Sequence, residues 1–325
     1  MRRAAAVVMA LSLAGCKPEG ETRVVALIGA VLIDGNGGPP VTDSVVVVAN
    51  GRIRAAGSRA VVPIPAGADK IDGKGRFVVP GLIDLHVHLG SRAGPQFDAS
   101  EYTAERVTEN LRTYLKYGIT TVRSVGTERA AGFEVRKAQP AAGARLFTAG
   151  RGFTAKGGHP SPEVDEVTRQ VDDPAEARRQ VGELASQQAD LIKIWVDDGR
   201  GSRPKIKAPV IEAILDEARK HNLPVTAHIR TLADTKHLVE HGAAGFLHMI
   251  RDTEEIDTAF VNRLRALAIP FVPTLVRQEL AWLYREKPEL LDDPEIPRDV
   301  AAAVREAAQK RPAATAEARA ELAVA

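Results

Sequence analysis

The stretch Phe77-Val78-Val79-Pro80-Gly81-Leu82-Ile83-Asp84-Leu85-His86-Val87-His88 separates two kinds of sequence. After Pro80-Gly81, short apolar runs alternate with helical stretches, the pattern of repeated βα units. Within the first run, His86 and His88 alternate with Leu85, Val87 and Leu89. Period-two geometry sends both imidazoles to one side, and in a βα barrel the C-terminal end of a strand faces the mouth where chemistry is placed. Two histidines separated by one residue on a strand can grip one metal ion. A histidine pair at a solvent-exposed strand end is the other reading.

Upstream the punctuation is of the β type. Val24 to Ile33 is apolar, Gly35-Asn36-Gly37-Gly38 turns, Ser44 to Ala49 is valine-rich, and Asn50-Gly51 is a hairpin signal. Ile53 to Ala56 continues the pairing, and Lys70-Ile71-Asp72-Gly73-Lys74-Gly75 turns before Phe77-Val78-Val79. Residues 23–79 are therefore expected to form a small antiparallel unit, half of a β-sandwich. At the start, Arg2 and Arg3 precede an apolar run from Ala4 to Ala14, too short to span a bilayer and suited to a signal-peptide core. It ends in Leu13-Ala14-Gly15-Cys16, which resembles the lipobox of bacterial lipoproteins. That implies a signal peptide over 1–15, a lipid on Cys16, a tether over 16–22, and a lipid-anchored position at the bacterial cell envelope, on its periplasmic or extracellular face.

Downstream, seven runs read as strands: Leu82 to His88, Thr120 to Val125, Arg145 to Ala149, Leu191 to Val196, Val225 to Ile229, Gly245 to Met249 and Phe271 to Leu275. Glu101 to Lys116, Ala175 to Gln188, Val210 to His221 and Thr253 to Ala268 carry apolar residues at helical spacing. The natural solution over residues 80–325 is a TIM-type (β/α)8 barrel, with the last strand missing. After Leu275 the sequence is polar and Ala-rich, with no β-branched run in Arg277 to Tyr284 or Val300 to Ala323.

Composition narrows the function. The 325 residues are 44% hydrophobic and 26% charged, an ordinary soluble-enzyme balance. Only 4% are aromatic, and 44 basic against 42 acidic residues become 42 against 42 once Arg2 and Arg3 are removed. Neither rows of stacking side chains nor a basic field favours a nucleic-acid partner, and membrane contact is expected only through the lipid.

Lys193 places a charged side chain inside the apolar run Leu191-Ile192-Lys193-Ile194-Trp195. Such a lysine must snorkel, pair or lose its charge. His228 and His248 end the two following strands, so four histidines and a lysine fall on strands one, four, five and six.

These residues resemble the amidohydrolase superfamily of metal-dependent hydrolases. The likeness is carried by residues 77–88, Asn50-Gly51-Arg52-Ile53, Thr120-Thr121-Val122-Arg123, Lys193, His228 and His248. Within the superfamily, Gly157-Gly158-His159 and Ile192-Lys193-Ile194 are similar to the imidazolonepropionase-like and prolidase-like branch. The resemblance implies two divalent metal ions, zinc first, with His86 and His88 on one and His228 and His248 on the other. It also implies that Lys193, carboxylated by carbon dioxide, bridges them. An apolar strand beside dications lowers the lysine pKa and stabilises the carbamate, in keeping with that role. The implied reaction is hydrolysis of an amide, peptide-like (dipeptide or N-acyl amino acid) or cyclic C–N bond by a metal-bound hydroxide.

His159 is read either as a contact to substrate or tetrahedral intermediate or as a surface-loop histidine. Arg230, and less directly Arg123, could bind a substrate carboxylate or be solvated at strand ends. His221, His237 and His241 are read as surface or packing residues, and Asp197 and Asp198 as a pair that caps a loop. The family pattern ends in an aspartate on an eighth strand that acts as general base, and no such strand or aspartate is found here. Ser124 stands where relatives often carry an acidic residue. The missing strand exposes two edges and suggests assembly with another chain. The alternative function is an inactive remnant, a metal- or ligand-binding lipoprotein.

Overall fold

Val24–Leu32 (β1), Val41–Ala49 (β2) and Arg52–Ser58 (β3) pair antiparallel in order, and Asn50-Gly51 closes the β2–β3 hairpin with both residues at positive φ, +54° and +68°. That is the two-residue turn whose twist suits adjacent strands. Asp69–Asp72 (β4) and Phe77–Val78 (β5) then run parallel to β1, not antiparallel. The reason is the connection: the chain leaves β3 at Ser58 and returns to the opposite edge of β1, so the next strands share its direction. The result is one mixed five-stranded sheet, and the second layer of a sandwich is not among the described residues. In this computed structural model, the described residues are 23–90, 92–93, 96–97, 102–140, 142–160, 168–294 and 296–310. The expected signal peptide, lipidated Cys16 and tether lie outside them. The chain divides into two compact units, Met1–Pro80 and Gly81–Ala325.

The second unit alternates strands and helices. Leu82–Val87 (β6) is followed by the two-residue strands Arg92–Ala93 (β7) and Gln96–Phe97 (β8), then Ala104–Lys116 (α1). Ile119–Ser124 (β9), Ala130–Ala138 (α2), Arg145–Thr148 (β10), Phe153–Thr154 (β11), Arg169–Gln170 (β12) and Pro174–Ser186 (α3) come next. Ile192–Trp195 (β13), Ala208–Lys220 (α4), Val225–His228 (β14), Leu232–Glu240 (α5), Gly245–Leu247 (β15), Thr258–Ala266 (α6) and Phe271–Val272 (β16) complete the alternation. Leu275–Glu286 (α7), a 3-10 turn at Pro288–Asp292 and Arg298–Lys310 (α8) follow.

Helix starts obey local capping chemistry. Thr103, Asp173, Thr231 and Asp257 each accept a hydrogen bond from a backbone N–H of the first turn, whereas Lys207, ahead of α4, offers no side-chain cap. Capping explains why α1 and α6 begin later than apolar spacing alone suggests.

All strand pairings in the second unit outside the β7–β8 hairpin are parallel. They fall into a three-stranded sheet, β10-β9-β6, and a six-stranded sheet, β12-β11-β13-β14-β15-β16. The expected third barrel strand is β10, which pairs with β9, and beyond a break at 149–152 a further short strand, β11, pairs with β13. Asp190 stitches the break, donating its N–H to the Thr148 carbonyl (2.9 Å) while its carboxylate accepts from the Thr148 N–H (2.8 Å). On the central strands the apolar residues alternate with Lys193, Trp195, Thr226 and His228, and the apolar set faces the helices. Ile192, Ile194, Val225 and Ala227 pack with Val181, Leu184, Ile211, Ile214 and Leu238 from α3, α4 and α5.

At the two outer edges the covering is thin. Leu82, Ile83 and Leu85 of β6 and Phe271 and Val272 of β16 line one apolar cleft, and Leu82 and Ile83 are 58% and 62% exposed. Among the described residues no strand pairs with the free edge of β6 or of β16.

One acid is buried in this framework. Glu128, just past β9, is wholly inaccessible and held by the hydroxyls of Ser124, Thr127 and Thr148. Burial pushes its carboxyl up to about 7 against the opposing pull of those hydrogen bonds. Folding therefore takes up a proton between the unfolded value of 4.5 and about 7. The contribution of Glu128 to stability is fully present below that window and is lost as pH rises through it, by on the order of 3 kcal/mol. Denaturant unfolding of Glu128→Gln should lack this fall; an unchanged pH slope would remove Glu128 as its source.

Candidate metal centre

Alternation along three strands builds the centre. On β13 and its extension, Lys193, Trp195 and Asp197 share one side, and on β6 so do Asp84, His86 and His88. The register sets Trp195 beside His228 and Lys193 beside Thr226. His86, His88, His159, His228 and His248 line one cavity of about 550 Å³ together with Asp84, Asp197, Trp195 and Arg251. The rings form a chain, with centroids 5.3 Å apart for His88 and His86, 4.9 Å for His86 and His248, 4.5 Å for His248 and His228, and 4.6 Å for His228 and His159.

His248 reaches the cavity by breaking the alternation. Leu247 packs with Leu191, on the Lys193 side of its strand, while Phe246 joins the core shared with the helices. Strict alternation would send His248 outward with Phe246. Its φ of +70° turns it back, and Thr274, whose hydroxyl lies 2.6 Å from His248 Nδ1, is also left-handed at +54°. Such conformations cost about 1–3 kcal/mol each for non-glycine residues and persist where surrounding contacts impose them.

The remaining ring nitrogens are oriented by neighbours. His88 Nδ1 pairs with Thr127 Oγ1 (3.2 Å), and His228 Nε2 with Asp197 Oδ2 (2.9 Å). These contacts leave Nε2 of His88 and His248 and Nδ1 of His228 as the nitrogens for an ion, the pattern by which an outer partner fixes a ligand's tautomer. Burial holds His228 well below its usual pKa, and the guanidinium of Arg251 acts in the same direction. A neutral imidazole is the ligating form.

Lys193 is wholly buried, and its Nζ has no hydrogen-bond partner. Burial, followed by the positive charge of Arg123, holds it well below the ordinary lysine value, so the amine is neutral. Its stem fits between two glycines: a Cβ at Gly126 would lie 2.8 Å from Lys193 Cγ and one at Gly152 2.9 Å from it, and both would collide with Trp195.

Arg123 and Arg230, the expected carboxylate binders, are not among the residues lining this cavity. Arg123 Nε donates to the Leu85 carbonyl (3.0 Å), which ties it to β6, and at Arg230 the backbone carbonyl accepts from Arg251 N–H (2.8 Å). Arg251 lines the cavity instead, 3.7 Å from Asp197. His159 is brought in by its loop, where Thr154 Oγ1 donates to the His159 carbonyl (2.5 Å).

Asp197 does cap its loop, accepting from Gly199 N–H (2.8 Å), but its other oxygen holds His228. Sequence reading missed that role, although alternation from Lys193 through Trp195 reaches Asp197. Nothing in the local sequence pointed to Thr127, Thr274 or Arg251.

Comparison with known proteins fits this geometry. The amidohydrolase family model matches residues 77–315. An imidazolonepropionase from Polaromonas sp. (strain JS666 / ATCC BAA-500) is 36% identical over 104 residues, which are 31% of this chain and 23% of that protein. A dihydroorotase from Anaeromyxobacter dehalogenans (strain 2CP-C) is 29% identical over 228 residues, 67% of this chain and 44% of that one. The chain thus spans less than half the length of these curated relatives. Among solved structures, a prolidase complexed with N-methylphosphonate-L-proline superposes with a TM-score of 0.69 at 25% identity, covering 93% of this chain and 75% of its own. A family match that takes in most of the chain, including all four cavity histidines of the strands and Lys193, establishes that the protein belongs to the amidohydrolase family.

Proposed function

We propose that the protein hydrolyses an amide, peptide-like or cyclic C–N bond with the help of two divalent metal ions. The observation that carries this reading is Lys193, a buried, neutral, unpartnered amine beside a cavity ringed by histidines. A neutral amine is the form that takes up carbon dioxide, and the resulting carbamate needs cations to neutralise it. The donor set fits: His86 and His88 would hold one ion, His228 and His248 the other, and carboxylated Lys193 both. Imidazole and oxygen donors suit zinc. When bound, such ions supply Lewis acidity toward the scissile carbonyl and lower the pKa of water.

The other residues position and select. Asp197, Thr127 and Thr274 fix the rings of His228, His88 and His248. Arg251 puts a guanidinium on the cavity wall, where a substrate carboxylate can be paired bidentately, and His159 can donate to the oxygen that gains charge. A carboxylate-bearing substrate, a dipeptide or N-acyl amino acid, suits Arg251, and the solved prolidase with its prolyl phosphonate supports the same class.

A second reading, ligand or metal binding without turnover, is favoured by one observation. The carboxylates that line the cavity are already engaged, Asp84 with the His86 N–H (3.0 Å) and Asp197 with His228, so neither is placed as a free general base.

Purified chain supplied with Zn²⁺ and bicarbonate should hydrolyse a dipeptide or N-acyl amino acid, and Lys193→Ala should lose both turnover and the metal bound in the cavity. Metal binding without turnover on either substrate class would favour the second reading, and a cavity that takes up no metal would refute metal-dependent hydrolysis. In Asp197→Asn, zinc affinity should drop about 10- to 100-fold as His228 loses its orienting partner. Equal affinity would make Asp197 a loop cap alone. Arg251→Met should raise KM for a carboxylate-bearing substrate far more than it lowers kcat; an unchanged KM would place the carboxylate elsewhere.

A further inference from the structure

A second group of donors stands apart from the cavity, in the outer helical layer. Glu212 lies on α4, His237 in the last turn of α5, and His241 is the residue that ends α5. One ligand atom from each lies within 4.8 Å of the other two. His237 Nε2 is 3.6 Å and His241 Nε2 3.8 Å from Glu212 Oε1, and the two rings are 4.3 Å apart. These gaps are too long for hydrogen bonds. They match instead the edge of a tetrahedron about a zinc ion: bonds of about 2.0–2.2 Å set neighbouring ligand atoms roughly 3.4 Å apart.

The protonation pattern fits as well. His241 Nδ1 lies 2.9 Å from the His237 carbonyl, which can only accept, so Nδ1 carries a proton and Nε2 is the ring nitrogen directed toward Glu212. Metal-bound histidines characteristically donate their second ring N–H to a backbone carbonyl in this way. His237 Nε2 is shielded from solvent and has no hydrogen-bond partner, an expense that an ion would relieve. Both histidines sit at the C-terminal end of α5, where the helix dipole favours a cation. Their side chains are 28% and 38% exposed and that of Glu212 is 45% exposed, so an ion can enter from solvent and water can complete its coordination.

We propose that Glu212, His237 and His241 form a second metal site, selective for a divalent first-row ion such as Zn²⁺, that ties α4 to α5 independently of the barrel centre. The helical spacing of His237 and His241 supplies a chelate from one helix, and Glu212 adds the cross-helix bond.

The test uses the full chain equilibrated with Zn²⁺ and then analysed for metal. The double variant His237→Ala/His241→Ala should bind one equivalent less than the parent while its barrel-dependent hydrolysis is retained. Glu212→Gln, which keeps side-chain volume, should bind that same equivalent more weakly. Repeating the count in a Lys193→Ala background separates the two sites: the outer equivalent should survive there and vanish only with the outer substitutions. Should the double variant fold poorly, NMR of the parent gives the same answer, with the His237 and His241 ring signals shifting at one added equivalent in the Lys193→Ala background. Unchanged stoichiometry together with unshifted ring signals would reduce the cluster to an ordinary histidine–carboxylate contact and overturn the proposal.

Discussion

The burial of the Lys193 amine is the constraint on which the rest of the second unit depends. An ammonium cannot be desolvated in an apolar strand without a partner, and here it has none. The protein accommodates it by holding the amine neutral, by packing its stem between Gly126 and Gly152, and by covering it with Trp195. Each of those contacts comes from a different strand end. β9, the break between β10 and β11, and β13 must therefore be in register for the lysine to fit.

The histidines above Lys193 are held by the same economy of alternation, with one departure. His86 on β6, His88 just past it and His228 on β14 follow the pleat, and the ring nitrogens of His88 and His228 are assigned by Thr127 and Asp197. His248 instead pays in backbone strain, turning at φ +70° to join them, with Thr274 strained beside it. The hydrogen bond between these two residues fixes both the ring and the start of α7. Outside the cavity, the buried Glu128 differs from Lys193 in having partners: burial raises its carboxyl to about 7, and three hydroxyls satisfy it.

Much of this was legible in the sequence because it rests on period-two alternation. His86 and His88, the apolar run around Lys193, and His228 at a strand end are local patterns, and the structure brings all of them to one place. His248 was legible from its place at a strand end, although strict alternation would not carry it inward. Asp197 was legible in principle, two residues beyond Trp195, but its loop-capping role was the more obvious one. Thr127, Thr274 and Arg251 are positioned by long-range register that no local pattern encodes. The parallel pairing of β4 and β5 with β1 and the break after the third strand were missed for the same reason. Both depend on where a connection returns, not on what the strand contains. The Glu212–His237–His241 cluster joins neighbouring helices, and the sequence reading of His237 and His241 as surface or packing residues missed it, because Glu212 is brought to them from another helix.

The central claim is that Lys193 is modified and shared between two metal ions. Crystals grown with Zn²⁺ and bicarbonate, measured at the zinc absorption edge, test it most directly. Two anomalous peaks about 2.0–2.1 Å from the nitrogens of His86, His88, His228 and His248 are expected. Continuous density should extend from Lys193 Nζ to both ions. An unmodified Lys193 amine with no anomalous peak in the cavity, in crystals that bind zinc elsewhere, would contradict it.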